Sequence, residues 1–368
     1  MPGVYISYPF CAQKCTYCNF ASGVFPRELE PRYVDALARE IGGHEWAWTP
    51  ETIYLGGGTP SGMAPGDLER ILRPLPDGHG PVRFQEATIE AAPGNITPEL
   101  AAAWVRAGIN RVSLGVQSFV QRELARTGRK HTAEVVEREI ATLRSAGIDN
   151  FNIDLIAGLP GQTLESWSES LSWIERLQPP HVSVYMLEID EDSRLGSEVL
   201  LNGKRYGAPD VPSDQLTAEL YETAVEHLAR IGIQRYEISN FARPGFESLH
   251  NLKYWRLEPY AGFGADAHSF DGVVRSQNIE SPGEYVDRIE NGQSARTDST
   301  PANQAEERFF VGLRLAQGIQ PRADEWLKFE QPISRFIAEG LLERDGPRLR
   351  LTDRGVLFSN EVFAEFIA

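Results

Sequence analysis

Short β-rich runs alternate with helical stretches from residue 3 to about residue 240. Three joints look alike, because each ends a predicted helix on a glycine and then enters a predicted strand: RAGINRVSLGVQ (106–117), SAGIDNFNIDLI (145–156) and RIGIQRYEIS (230–239). Glycine tolerates the left-handed backbone conformation that closes a helix. Alternating strands and helices predict a parallel sheet, which right-handed crossovers build into a barrel or a doubly wound sheet.

The two faces of four predicted strands differ in polarity. One face carries polar residues or glycine, namely Tyr5, Ser7, Thr88, Glu90, Ser113, Gly115, Gln117, Asn152 and Asp154. A parallel strand that is covered on both sides should be apolar on both faces. One polar face therefore favours a barrel whose apolar outside meets helices and whose inside holds a polar ligand. An ordinary α/β sheet with solvated edge strands is the alternative.

Beyond residue 290 the pattern changes to helices followed by a hairpin. The runs QAEERFFVGLRLA (304–316), SRFIAEGLL (334–342) and VLFSNEVFAEFI (356–367) predict helices, and Asp345-Gly346 predicts a hairpin turn. This order resembles a winged helix, a module that often binds DNA. The second predicted helix carries no basic face, so the pattern speaks against DNA binding.

Charge and hydropathy narrow the class of protein. The chain has 36 basic and 52 acidic residues and a formal net charge of −16, which disfavours binding to nucleic-acid phosphates or anionic lipid. No apolar run approaches the ~20 residues that span a bilayer. The first ten residues, MPGVYISYPF, lack the basic start and apolar core of a signal peptide. We therefore expect a cytoplasmic protein with no nucleic-acid partner and no integral membrane segment.

All three cysteines of the chain, Cys11, Cys15 and Cys18, lie in the run CAQKCTYCNF. An odd, clustered set does not suit a disulfide framework, and a structural zinc site has four protein ligands as a rule, yet the nearest histidine is His44. A 4Fe-4S cluster held by three thiolates keeps one iron open, which can chelate the amino and carboxylate groups of S-adenosylmethionine. The spacing C-x3-C-x2-C, with Tyr17 before the last cysteine, resembles the signature of the radical SAM superfamily.

Other segments near predicted strand ends support this interpretation. LGGGTPS (55–61) follows an apolar strand and resembles the glycine-rich segment whose backbone approaches the methionine amino group; by itself such a run is more often a tight turn. NIDLIAGLPGQT (152–163) adds a second glycine-rich turn before a helix. Glu90, Gln117 and Asp154 lie near strand ends on the polar faces, where a barrel builds its site.

Nearly the whole chain resembles the oxygen-independent coproporphyrinogen III oxidase-like group, and within it the haem chaperone branch called HemW. The segments that carry the resemblance are YISYPFCAQKCTYCNFAS, YLGGGTPS, TIEAAPGN, RVSLGVQSF, TGRKHT, NIDLIAGLPGQT, YEISNFARPGFESLHNLKYW and GADAHSF. The resemblance implies an α/β fold, a partial (β/α)6 barrel with a C-terminal α+β extension resembling a winged helix. It places the core at 1–235, a barrel extension at 236–290 and the C-terminal domain at 291–368.

The same resemblance implies residue roles. Cys11, Cys15 and Cys18 would hold the 4Fe-4S cluster. The residues expected to contact S-adenosylmethionine are Tyr5 beside the cluster, Gly57, Gly58 and Thr59 at the methionine end, and Glu90, Gln117, Arg129 and Asp154 around the remainder. The alternative for these residues is a hydrogen bond that lines the lumen or, for Arg129, a surface charge.

Two differences between this chain and the oxidases indicate to which branch of the group it is similar. The oxidases carry a further cysteine two residues after the third ligand, where this chain has Phe20, and a longer segment before the cluster, where this chain has ten residues before Cys11. Both departures indicate the chaperone branch and not decarboxylation of coproporphyrinogen.

The run HNLKYW (250–255) is the second discriminator. A neutral imidazole is a common axial ligand of haem iron, and aromatic rings offer a porphyrin flat apolar contact. The resemblance implies haem binding by His250, Asn251, Tyr254 and Trp255, whereas the residues alone favour a packed, hydrogen-bonded histidine. His268 in GADAHSF is the second candidate ligand, in a segment that departs from the usual glycine-proline-glycine form at Ala265-Asp266.

The expected function is a haem chaperone that binds a 4Fe-4S cluster, S-adenosylmethionine and haem and passes haem to recipient apo haem proteins, with an electron donor for the cluster. The alternatives are a radical enzyme that decarboxylates a porphyrinogen and a non-catalytic module that recruits partners. The sequence assigns no catalytic residue and leaves a homodimer open.

Overall fold

The computed structural model describes residues 2–76 and 83–367. Its strands are β1 (Gly3–Tyr8), β2 (Thr52–Gly57), β3 (Glu86–Ala91), β4 (Arg111–Gln117), β5 (Asn150–Ala157), β6 (His181–Met186), β7 (Gln234–Arg235), β8 (Asn240–Ala242), β9 (Tyr260–Phe263), β10 (His268–Phe270), β11 (Val274–Asn278), β12 (Arg296–Pro301), β13 (Leu342–Asp345) and β14 (Arg348–Leu351).

The α-helices are α1 (Leu29–Gly42), α2 (Pro65–Leu72), α3 (Pro98–Ala107), α4 (Gln121–Thr127), α5 (Ala133–Ser145), α6 (Leu164–Leu177), α7 (Arg194–Leu200), α8 (Asp214–Arg230), α9 (Leu249–Trp255), α10 (Pro282–Glu290), α11 (Gln304–Phe310), α12 (Ala323–Lys328), α13 (Glu330–Ala338), α14 (Asp353–Leu357) and α15 (Ser359–Ala364). Short 3₁₀ turns occupy Pro60–Gly62, Arg205–Asp210 and Gly312–Arg314. Within the described residues, no helix is both long and apolar enough to cross a membrane.

Strands β1 to β6 are parallel and neighbour one another in chain order, with at least one helix in each connection. At the two outer strands the sheet continues with strands from later in the chain, because β1 also pairs with β9 and β6 also pairs with β8. The six parallel strands therefore do not close on themselves. The predicted fold class, a partial (β/α)6 barrel, is confirmed.

The polar faces of the strands share one lumen. The Asn152 amide on β5 donates to the hydroxyl of Ser113 on β4 (2.8 Å) and to that of Ser183 on β6 (2.9 Å). Ser113 in turn donates to Asp154 Oδ2 at 3.3 Å. The alternating residues on the opposite faces, such as Val112, are fully buried against the helices. This arrangement confirms the barrel and excludes the solvated edge strands of the alternative.

The three helix-to-strand joints have the expected backbone but not the same continuation. Gly108, Gly147 and Gly232 follow α3, α5 and α8 and have φ angles of 91°, 92° and 82°. The first two lead into parallel strands of the barrel. The third leads only into the two-residue β7, which pairs antiparallel with β8. The repeated unit therefore ends at β6, and β7 and β8 extend the sheet as a hairpin.

Residues 236–290 contribute strands to both edges of the sheet. β8 pairs with β6 at one edge, the chain then forms α9, and β9 pairs parallel with β1 at the other edge. β10, β11 and β12 continue that edge antiparallel. As a result, the segment that carries HNLKYW connects the β6 edge of the sheet to its β1 edge.

The C-terminal region combines short helices with a hairpin, as the sequence predicts. β13 and β14 pair antiparallel around Gly346, whose φ is 58°. The predicted helix 304–316 is shorter than expected, because α11 ends at Phe310 and a 3₁₀ turn follows. The predicted helix 356–367 divides into α14 and α15, since residues 353–364 hold two short helices joined at Phe358.

Candidate cofactor site

Residues 9–23, called here the cysteine loop, leave the carboxyl end of β1 and return on themselves. Gly23 N donates to Pro9 O at 2.9 Å, and Cys11 N donates to Gly23 O at 2.8 Å. The three cysteines are free thiols and partly exposed. The loop therefore presents all three thiols of the chain from one closed segment, while Phe20 lies 67% exposed on it.

Two neighbouring segments hold the cysteine loop in place. Thr16 N donates to Thr127 O at the end of α4 (3.3 Å), and Leu195 N on α7 donates to Thr16 O (2.8 Å). Arg129 Nε donates to the hydroxyl of Tyr17 at 3.2 Å. The predicted cofactor residue Arg129 thus lies against the aromatic residue that precedes the third cysteine.

The cysteine loop offers thiol sulfurs, the donor type that iron–sulfur clusters use. Within the ranges that the structure describes, no three His, Cys, Asp or Glu side chains converge as ligands of one metal ion would. Burial raises the pKa of the Cys11 thiol, opposed by hydrogen bonds from the Thr59 and Ser22 hydroxyls, and the Arg129 charge faces Cys15.

The glycine-rich run forms the end of β2 and the turn after it, and it lies directly against the cysteine loop. Gly58 N donates to Tyr8 O (2.8 Å), and Thr59 N donates to Phe10 O (2.9 Å). A Cβ atom on Gly58 would lie 2.7 Å from both Phe10 O and Pro9 C. Glycine at this position is thus required by the close approach of two backbones.

We expect Gly58→Ala to displace the cysteine loop, because the added methyl group meets backbone atoms that cannot rotate away. The expected cost is about 1–3 kcal/mol of unfolding free energy together with reduced iron content after reconstitution. Urea unfolding and an iron assay would measure the two effects. Gly62→Ala is the matched control, since its Cβ would meet nothing within 4 Å; equal behaviour of the two variants would contradict the steric argument.

Two carboxylates lie in the lumen near the carboxyl ends of the strands. Glu90 Oε1 accepts from the Tyr54 hydroxyl (2.9 Å), and Oε2 accepts from Gly57 N (3.2 Å). Burial and, after it, the negative charge of Asp154 raise the pKa of Glu90 to about 7. Burial also raises the pKa of Asp154, opposed by hydrogen bonds from Ser183, Asn152 and Ser113. The lumen therefore concentrates negative charge where a cationic ligand would be favoured.

The structure brings the remaining predicted cofactor residues to the same end. The Tyr5 hydroxyl would lie 3.6 Å from a Cβ on Gly57. Arg129 donates to Gly115 O at 2.6 Å, next to Gln117, which has a φ of 71°. Gln117 Oε1 is buried with no hydrogen-bond partner among the described residues, so it is available to a ligand.

Sequence reasoning missed Tyr54 as a member of this site. Its ring lies near those of Tyr5 and His250, with centroids 6.3 Å and 5.4 Å away. The signal was present in TIYLGG, because Thr52, Tyr54 and Gly56 alternate with apolar residues as in the other strands.

The HNLKYW run lies at the opposite end of the barrel, on α9. His250 is 1% exposed, its Nδ1 lies 2.9 Å from Thr52 Oγ1, and its Nε2 lies 2.7 Å from the Tyr254 hydroxyl. Thr52 begins β2, and a Cβ on Gly3, which begins β1, would lie 3.1 Å from the same Nδ1. Burial lowers the pKa of His250 to about 3, so its ring is neutral. In this conformation both ring nitrogens already have partners.

Buried charges fix α9 under the barrel. The carboxylate of Glu86, at the start of β3, accepts from Ser248 Oγ (3.2 Å) and from the backbone N–H groups of Leu249 and His250 (2.9 Å each). Lys253 is 4% exposed, with Nζ 2.6 Å from Glu51 Oε2. The helix therefore covers the amino ends of the strands, and α9 is called here the plug helix.

The other predicted haem residues share this setting. Asn251 N donates to the capping hydroxyl of Ser248 at 3.3 Å, and the Arg314 guanidinium lies 4.5 Å from the Trp255 ring centre. Trp255 thus contacts the C-terminal region. His268, the second candidate, is exposed on β10.

At Ala265-Asp266, where the sequence departs from the glycine-proline-glycine form, the backbone still adopts a conformation typical of glycine. Asp266 has a φ of 60°, and its Oδ1 accepts from Gln277 Nε2 at 2.8 Å. Aspartate tolerates the left-handed region better than most residues. The turn after β9 is therefore formed without the usual glycine.

Comparisons with known proteins agree with the order of these parts. Residues 5–174 match the family model of the radical SAM superfamily, and residues 299–358 match that of the HemN C-terminal domain. The solved structure of coproporphyrinogen III oxidase (HemN) from Escherichia coli superposes with a TM-score of 0.82 at 22% identity, covering 99% of this chain and 90% of that chain. At that identity the superposition shows a shared fold.

Similarity extends over most or nearly all of the length of curated relatives. The haem chaperone HemW of Lactococcus lactis subsp. lactis (strain IL1403) is 34% identical over 371 residues, with 99% of this chain and 96% of the relative covered. HemW of Escherichia coli (strain K12) is 31% identical, with 99% and 98% covered. The mitochondrial radical S-adenosyl methionine domain-containing protein 1 of Bos taurus is 30% identical, with 96% and 84% covered.

Proposed function

Since this chain belongs to the HemW family within the radical SAM superfamily, we propose that it is a haem chaperone. It binds a 4Fe-4S cluster, S-adenosylmethionine and haem in the cytoplasm, accepts electrons from a donor, and delivers haem to recipient apo haem proteins. The observation that carries the proposal is the full-length similarity to relatives named haem chaperones. The cysteine loop beside the lumen carboxylates supports the cofactor part.

Cys11, Cys15 and Cys18 are proposed to hold the cluster, which supplies the electron that can cleave the sulfonium of the cofactor. Gln117 supports the cofactor assignment, because its buried carbonyl oxygen has no partner among the described residues. Glu90 lies on the same lumen wall, where its carboxylate favours the cationic groups of S-adenosylmethionine. Tyr5, Gly57, Gly58, Thr59, Arg129 and Asp154 complete the proposed cofactor site.

Haem binding is proposed at α9, through His250, Asn251, Tyr254 and Trp255. Ligation by His250 requires release of one of its two ring nitrogens, and the bond to the Tyr254 hydroxyl is the one within its own helix. Opening this bond would free Nε2 while Thr52 still holds Nδ1. His268 is the alternative ligand that needs no such rearrangement, because it is exposed.

The experiment combines a haem titration with a test for turnover. Anaerobically reconstituted protein is titrated with haem while the Soret band is followed, and in parallel is incubated with S-adenosylmethionine, reductant and coproporphyrinogen. We expect stoichiometric haem binding, weakened in His250→Ala but not in His268→Ala, and no protoporphyrinogen. Formation of protoporphyrinogen would establish the oxidase alternative instead. Absence of both haem binding and S-adenosylmethionine binding would favour the non-catalytic module.

A further inference from the structure

Tyr54 connects the two ends of the barrel. Its ring is stacked on that of Tyr5, with a centroid distance of 6.3 Å and an interplanar angle of 24°. The centroid of the His250 ring lies 5.4 Å from that of Tyr54, with an interplanar angle of 31°. The Tyr54 hydroxyl donates to Glu90 Oε1 at 2.9 Å. One side chain thus contacts the proposed cofactor site and the plug helix α9.

The carboxylate of Glu90 is oriented by two donors that both belong to β2. Tyr54 in the middle of the strand donates to Oε1, and the backbone N–H of Gly57 at its end donates to Oε2. Two bonds to different oxygens determine the plane of the carboxylate. Loss of the Tyr54 hydroxyl would leave one bond and allow the group to rotate.

His250 in turn restricts Tyr54. Its ring nitrogens are hydrogen-bonded to Thr52 and Tyr254, so the His250 ring is fixed in its position next to the Tyr54 ring. Tyr254 itself is in edge contact with Tyr260, at a centroid distance of 4.6 Å. A change at α9 therefore has a direct path of packed rings to Glu90.

We propose that Tyr54 is a positioning residue that orients the Glu90 carboxyl group for S-adenosylmethionine, and that His250 supports Tyr54 in this role. The inference rests on the proposed function, in which Glu90 contributes to cofactor binding. His250 accordingly has a structural role in the haem-free protein that is separate from haem ligation.

The ionisable groups around Glu90 make the positioning role of Tyr54 measurable as a pH dependence of cofactor binding. The ionisable groups that face Glu90 or Tyr54 come from six elements: Tyr5 on β1, Tyr54 on β2, Arg111 on β4, Asp154 on β5, Tyr185 on β6, and His250 and Tyr254 on α9. Burial and Asp154 raise the pKa of Glu90 and hydrogen bonds from Tyr54 and Gly57 oppose this rise, so that the resulting pKa is about 7. Affinity for a cationic cofactor should therefore rise as pH increases through 7, and removing the Tyr54 hydroxyl should move that rise to higher pH.

The experiment measures equilibrium binding of S-adenosylmethionine to anaerobically reconstituted protein across this pH range. The variants are Tyr54→Phe, His250→Gln and Glu90→Gln. Tyr185→Phe is the matched control, because it removes a lumen hydroxyl that does not hydrogen-bond to Glu90. The infrared carbonyl band of protonated Glu90, identified by its loss in Glu90→Gln, gives a second readout without cofactor.

For Tyr54→Phe we expect the pH midpoints of cofactor binding and of the infrared band to move up by about one pH unit, with roughly fivefold weaker binding at pH 7, since a hydrogen bond to a charged group is lost. His250→Gln should shift both midpoints in the same direction by less. Tyr185→Phe should stay near the wild-type midpoints.

The outcomes separate the two levels of inference. If Glu90→Gln binds S-adenosylmethionine as tightly as wild type at every pH, Glu90 is not part of the cofactor site and that part of the proposed function is wrong. If Glu90→Gln weakens binding but Tyr54→Phe titrates like Tyr185→Phe, the positioning role of Tyr54 is overturned. An unshifted His250→Gln would overturn the link to α9.

Discussion

Anaerobic reconstitution of the Cys15→Ala protein is expected to yield little or no bound iron. The chain has three cysteines, all on the cysteine loop, so the substitution leaves two thiolates for a cluster that needs at least three. Cys15 is partly exposed and its side chain is not part of the apolar core, so the fold should survive its removal. Iron and sulfide assays with the visible absorption spectrum would measure the loss.

Lys14→Ala is the matched control for this result. Lys14 neighbours Cys15 and contributes a hydrogen bond from Nζ to Phe20 O at 3.1 Å, but no thiol. We expect it to keep its iron, and both variants should unfold in urea at similar concentrations without cluster. Full iron content in Cys15→Ala would refute the assignment of the cysteine loop to a cluster.

Replacement of His250 by alanine should destabilise the haem-free protein by about 3 kcal/mol. The substitution leaves a cavity under the barrel and removes the partners of Thr52 Oγ1 and the Tyr254 hydroxyl, which lie 2.9 Å and 2.7 Å from the ring nitrogens. Urea unfolding of protein prepared without haem would measure the change. A residue whose sole role is haem ligation would show no such effect.

His268→Ala is the control, because His268 is exposed and its loss should change the unfolding free energy by less than about 0.5 kcal/mol. Equal stability of the two variants would contradict the plug role of α9. The comparison also helps to interpret the haem titration. Weaker haem binding by His250→Ala has two causes, loss of the proposed iron ligand and destabilisation of the protein, and the unfolding data measure the second.

Much of the barrel follows from local patterns. The alternation of Ser113, Gln117, Asn152 and Asp154 with aliphatic residues predicts one polar face, and the structure joins those faces by hydrogen bonds in one lumen. The period of a strand is two, so a local run suffices to assign its faces. The same rule applied to TIYLGG would have found Tyr54.

Long-range pairing could not be predicted in the same way. The run RIGIQRYEIS predicts another strand of the repeated unit, yet β7 has two residues and pairs antiparallel with β8. No local pattern distinguishes a strand that joins the parallel sheet from one that forms a hairpin at its edge. The edge pairing of β9 with β1 likewise depends on residues about 250 positions apart.

The sequence by itself predicted the cofactor chemistry, because the number, spacing and isolation of Cys11, Cys15 and Cys18 are properties of one short run. It also determined the barrel class through strand periodicity. Only the tertiary structure decided what surrounds His250: Thr52 is 198 residues away and Glu86 reaches Ser248 across 162 residues. A histidine beside two aromatic residues has the same local pattern whether it faces a ligand or a strand, and burial by distant residues settles which of its nitrogens are occupied.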